Sequence, residues 1–110
     1  MEVARVVEVL GALAQETRLE VFRLLVEAGP EGLAAGEIGD QLDVPAPTLS
    51  FHLRALSHAG LVSASRSGRS IVYAADFPAL EGVLRYLTEN CCAGSVSLER
   101  APARRRRQGG

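Results

Sequence analysis

The sequence predicts a mainly α-helical chain carrying one small β-hairpin, and three observations support that expectation. Apolar residues recur at helical spacing in five separate stretches of the chain. Between the fourth and the fifth the period changes to two, around Ser67-Gly68-Arg69. A hydrophobic content of 47% in 110 residues supports one core, and nothing marks a second domain. Aromatic residues make up only 5%, so the core must be aliphatic and there is little surface on which single-stranded bases could stack.

The elements follow in order. Val3, Val6, Val7, Leu10 and Leu13 form a helical stripe that ends near Ala14. Glu16-Thr17-Arg18 opens a second helix in which Leu19, Phe22, Leu25 and Val26 should point inward, and Gly29-Pro30 stops it. Glu31-Gly32 makes a turn. Ala34 to Leu42 reads as a short third helix with Ile38 and Leu42 buried, and Asp43-Val44-Pro45 joins it to a fourth. The fourth runs from about Ala46 to Ala59. Pro47 suits the first turn of a helix, where a missing N–H costs nothing, and Gly60 suits its C-terminal stop. Two helices joined by so short a turn match a helix-turn-helix. The runs from Leu61 to Arg66 and from Ser70 to Ala74 then read as a hairpin, with Gly68 where positive φ is needed. Asp76 looks like an N-cap, and Leu80, Val83, Leu84 and Leu87 stripe a fifth helix through about Asn90. The architecture expected is a winged helix-turn-helix. Helices 1 and 5 carry more apolar surface than such a core needs, and a homodimer through them is the natural outlet.

The fourth helix holds the candidate binding residues. Leu49, Leu53 and Leu56 fall at i, i+4 and i+7 and turn inward. The opposite side carries Pro47, Ser50, Phe51, Arg54 and His58, with Thr48 at the entrance and no carboxylate. A helix of this size fits the major groove of B-DNA, and hydroxyl residues plus an arginine are types that reach base edges and phosphates. His52 borders the buried stripe, where it would make a structural or a phosphate hydrogen bond. Arg66 and Arg69 at the hairpin tip suit a neighbouring backbone or minor groove; otherwise they are the charges of a solvated strand edge.

The net charge of −1 and pI near 6.1 hide an asymmetry. Residues 1–43 hold nine acids against three arginines, whereas residues 44–75 hold Arg54, Arg66 and Arg69 and no acid. Residues 76–99 hold four acids and Arg85, and the tail from Arg100 holds five arginines. Basic surface is thus confined to the fourth helix, the hairpin and the tail. The tail, residues 93–110, reads as a disordered Arg-rich end, with either a nonspecific attraction for DNA or no defined role. No signal peptide or membrane span is visible, because Arg5 and Glu8 interrupt the first apolar run, and a cytoplasmic protein is expected. An enzyme reading has no glycine-rich phosphate loop and no nucleophile, base and orienter set.

The pattern L-S-F-H-L-R-A-L-S-H-A-G-L-V, together with the upstream E-T-R-L-E-V-F-R-L-L, resembles the ArsR/SmtB family of winged-helix transcriptional repressors over roughly residues 5 to 92. The resemblance implies a dimeric repressor that releases operator DNA when an inducer, often a metal or metalloid, binds. Relatives that sense divalent ions carry cysteines on the third helix or histidines along the fifth, and this chain has neither. With one cysteine pair and both histidines on the fourth helix, a closed four-ligand zinc site is not expected.

Cys91-Cys92 remains. Two adjacent thiols cannot staple distant parts of a fold, but they are the ligand type that soft, thiophilic centres favour. T-E-N-C-C resembles the helix-5 ending of arsenic-responsive members, some of which add a third cysteine; Ala93 to Arg100 contain none. The expected inducer is a trivalent arsenic species, arsenite or an organoarsenical, with antimonite as an alternative, and one centre bound by both thiols should require the helix end to unwind. The alternatives are a thiol redox or persulfide switch, an incidental pair of small apolar residues, or a dimerisation module whose helix-turn-helix no longer reads DNA.

Overall fold

Five helices and a three-stranded sheet follow one another in a computed structural model that describes residues 1–89. The helices are α1 (Val3–Leu13), α2 (Glu16–Ala28), α3 (Ala35–Leu42), α4 (Ala46–His58) and α5 (Phe77–Thr88). The strands are β1 (Leu33–Ala34), β2 (Val62–Ser67) and β3 (Ser70–Ala75), in the antiparallel order β1-β3-β2. This is a winged helix-turn-helix, as expected.

The core forms where the inward lines of α1, α2, α3 and α4 meet. Leu25, Ile38, Leu49, Leu53 and Leu56 are all fully buried there, with Val9 and Val21 beside them. Burying one such aliphatic side chain stabilises the fold by roughly 1.5–3 kcal/mol. Cap chemistry sets the helix ends. The Gln15 side chain accepts the Arg18 backbone N–H at 2.9 Å, and Asp76 accepts that of Ala79 at 3.0 Å. Asp43 closes α3 in the left-handed region (φ 57°, ψ 50°), a conformation aspartate tolerates better than most residues, and the chain turns directly into α4.

Two expectations, in α2 and α3, need correction, and in α1 packing divides the apolar stripe: the buried line is Val6, Val9 and Ala12, while Val3 and Val7 are 60% and 62% exposed. Apolar residues occupy two sides of that helix, and only packing against α2 decides which is inner. In α2, Val21 takes the buried place assigned to Leu19, because the inward line through Phe22 and Leu25 runs along i, i+3 and i+4 and leaves Leu19 outside. Leu42 is only partly buried.

The hairpin gains a third strand. Leu33 pairs with Tyr73 and Ala34 with Val72, so the segment read as the start of a helix is first a short strand. Ala34 then serves as the N-cap of α3, its N–H donating to the Glu37 carboxylate at 2.9 Å. Gly32, at φ +71°, lies so close to the Tyr73 backbone that a Cβ would collide with it. On the other edge β2 and β3 pair from Val62↔Ala75 to Ser67↔Ser70, which leaves Gly68 and Arg69 as a two-residue loop. Gly68 has φ +62°, the conformation expected of it. The hairpin is anchored at its root, where Leu61 N–H donates to Leu56 O and Asp76 N–H donates to Leu61 O.

α5 ends earlier than expected. Thr88 is its last residue and Glu89 is already extended at φ −58°, ψ 133°. The helix-end unwinding expected of Cys91-Cys92 falls beyond the described residues, which run to Glu89. The two cysteines and the arginine-rich tail lie outside the described residues.

Candidate nucleic-acid interface

The inner side of α4 is fastened by Leu49, Leu53 and Leu56, and this fixes which side the helix turns outward. Pro47, Thr48, Ser50, Phe51, Arg54 and His58 are all exposed on it. Leu56 and Leu61 tie the root of the hairpin to the end of the same helix, and the hairpin carries Arg66 and Arg69. Both are exposed, Arg66 opposite Ile71 and Arg69 in the loop. Among the described residues the salt bridges are Arg5–Glu8 and Arg23–Glu27. Neither involves an arginine of α4 or the hairpin.

Seven of the eight residues singled out for DNA contact are therefore exposed, and one is not. His52 is 8% exposed and points inward. Its Nδ1 accepts a hydrogen bond from Nε of Arg18 at 3.1 Å, the structural of the two roles open to it. An accepting Nδ1 leaves the proton of the neutral ring on Nε2. Burial, and then the adjacent Arg18 charge, holds the His52 pKa below its usual 6.5.

Arg18 was not singled out from the sequence. It lies at the start of α2 on the line that continues through Val21, Phe22 and Leu25 into the core. An arginine on an otherwise apolar line is a signal that could have marked it. Its guanidinium carbon stands 5.6 Å from the centroid of the Phe51 ring, within cation–π range. Phe51 in turn meets the His52 ring edge-on at 5.5 Å.

The outer surfaces of α1 and α5 both carry aliphatic residues, unlike that of α4. Val3, Val7 and Leu10 on α1, and Leu84 and Leu87 on α5, are exposed, the last two at 44% and 56%. Among the described residues, no group of three or more His, Cys, Asp or Glu is placed to hold a metal ion. No helix among them is long and apolar enough to cross a membrane.

A profile described as a helix-turn-helix domain matches residues 13–63. The structure of an ArsR-like transcriptional regulator from Rhodococcus sp. RHA1 superposes with a TM-score of 0.68 at 33% identity, over 76% of this chain and 76% of that one. The chain belongs to the ArsR/SmtB family. Among curated relatives, the HTH-type transcriptional repressor SmtB of Mycobacterium tuberculosis is 39% identical over 66 residues, 60% of this chain and 47% of that protein. The "Putative arsenical resistance operon repressor ArsR" of Halobacterium salinarum is 43% identical over 63 residues, 57% of this chain and 48% of that protein. The matched stretch thus spans about half the length of these two ArsR/SmtB relatives. It includes the helix-turn-helix.

Proposed function

We propose that this chain is a DNA-binding transcriptional repressor that acts as a homodimer and leaves its operator when a trivalent arsenic species binds Cys91 and Cys92. The observation that carries the DNA reading is the exposed, acid-free surface running from Pro47 and Ser50 through Arg54 to Arg66 and Arg69, with every arginine on it free of a carboxylate partner among the described residues. On this reading α4 lies in the major groove, where Ser50 and Arg54 meet base edges or phosphates. The hairpin rests on the adjoining backbone or minor groove. One 13-residue helix gives modest affinity, and a dimer engages two half-sites together. The exposed aliphatic residues of α1 and α5 are the surface that supports this second-copy contact.

The inducer reading rests on the thiol pair and on the relationship to repressors such as the Halobacterium protein. A monosubstituted arsenic(III) centre bearing two hydroxyls has two exchangeable positions. Each cysteine sulfur replaces one hydroxyl, and the two thiol protons depart in two water molecules. Arsenite would need a third donor, which Ala93 to Arg100 do not supply. Because only Glu89 and Asn90 separate the pair from α5 in sequence, a centre formed there acts on a helix proposed to pair the two subunits. A coupling of about 1.4 kcal/mol suffices for a tenfold change in operator affinity.

The test is release of the chain's own promoter DNA, followed by gel shift. Phenylarsine oxide should release the wild type at least as well as arsenite, and the Cys91→Ser/Cys92→Ser protein should bind equally well but stay bound. Release of the double variant by the arsenical, or release of the wild type by zinc or peroxide alone, would contradict the inducer assignment. Arg54→Ala should weaken binding by roughly 1–3 kcal/mol if it meets a base or a tightly held phosphate. Unchanged affinity in a folded Arg54→Ala protein removes it from the interface.

A further inference from the structure

We propose that Arg18 is a DNA-backbone contact: clamped by His52 and Phe51, it holds its terminal Nη groups ready for a phosphate at the edge of the α4 surface. The inference rests on the DNA reading above and adds a residue from a different helix.

Three observations point to it. The first is fixation at two points, since Nε donates to His52 Nδ1 at 3.1 Å while the guanidinium lies 5.6 Å from the Phe51 ring centroid. A free arginine loses much rotamer entropy on binding; one already clamped loses less, so its contact is worth more. The second is what remains unused. Nε is one of five guanidinium donors, and the four Nη hydrogens have no hydrogen-bond acceptor or carboxylate among the described residues. A planar fork of that kind matches two phosphate oxygens. The third is Phe51, which is 56% exposed in the middle of a polar helix face. Its ring joins the exposed surface of α4 to the guanidinium of α2, and the cation–π contact accounts for an aromatic residue at that place. Arg18 belongs to α2 and lies beside α4. A residue so placed positions the protein on the duplex and carries no sequence information. His52, which bonds to Arg18, meets the Phe51 ring edge-on and is itself buried, is here a positioning residue.

A purely structural role, pinning α2 to α4 through His52, predicts a different outcome, because it needs the hydrogen bond and not the charge. The experiment measures fluorescence anisotropy of the full chain with its promoter duplex and with an unrelated duplex, each over a series of salt concentrations. Arg18→Ala should bind both duplexes about tenfold more weakly, and the slope of log K against log salt should fall by about one for each bound protomer. Arg18→Lys, which keeps a point charge, should restore most of that slope. If Arg18→Ala does not fold by circular dichroism, Arg18→Gln takes its place with the same expectation. An unchanged slope overturns the proposal, as does a loss confined to the promoter duplex. Failure of the wild type to bind either duplex overturns the DNA reading itself and this proposal with it, whereas binding by the wild type with an unaffected variant overturns this proposal alone.

Discussion

Protonation of His52 would place a positive ring on the buried side of α4, facing the Arg18 guanidinium and away from water. Burial and that neighbour lower its pKa in the folded protein. The unfolded chain, with a histidine near 6.5, therefore binds the proton first as pH falls. Between the two values the unfolded state carries more protons, so stability declines as pH drops through 6.5 towards the folded pKa and is level above that window. The thermal midpoint should accordingly fall between pH 7.5 and 5.5, and His52→Gln should flatten this dependence. An equally steep decline in the variant would assign the effect to another group. At this scale the sequence was informative about chemistry and less so about direction. The three leucines of α4 placed His52 at the border of the buried stripe, but its partner comes from 34 positions away, which no local spacing reveals. For Arg18 the local signal is its place on the apolar line of α2, while its pairing with His52 is equally non-local.

Elements were legible where their signal is local. α4 and the hairpin followed from leucine spacing and from a single glycine, because helix period and turn chemistry act within a few residues. β1 was not, since two residues carry no pattern and its existence depends on the edge that β3 offers. Which side of α1 faces the core was not legible, because both sides of that helix are apolar and the choice between them is made by tertiary contact. The hairpin also supports a prediction of its own. Arg66→Ala/Arg69→Ala changes only exposed side chains, so stability should stay within about 0.5 kcal/mol. If the hairpin touches DNA, the salt slope of binding should fall by up to about two per protomer. A normal slope would leave these arginines as the charges that protect a strand edge. Gly68→Ala separates backbone strain from crowding, because nothing lies near its absent Cβ and only φ +62° resists the change. A cost of about 1 kcal/mol is expected, read from the denaturation midpoint.

For the whole molecule, the apolar residues left outside the core decide how the chain exists in solution. Leu84→Glu or Leu87→Glu would put a charge into the proposed subunit contact and should yield monomer in sedimentation experiments, with the helix-turn-helix core intact because neither side chain is part of it. A dimer in both variants would move the contact elsewhere. This surplus was readable as two stripes too many for one core, whereas the thiol pair was readable only as chemistry. The separation of charge described for the sequence has a kinetic side as well. α4 and the hairpin carry arginines without acids, while α2 displays Glu16, Glu20 and Glu27 and α5 displays Glu81. On the proposed reading, a duplex is drawn towards the arginines of α4 and the hairpin, so the molecule is turned before it touches. Steered encounters of this kind reach on the order of 10⁸–10⁹ M⁻¹s⁻¹ at low salt, against roughly 10⁵–10⁶ without steering. A chain of slightly negative net charge can thus find DNA quickly, because the field near one face, and not the total, sets the rate of capture.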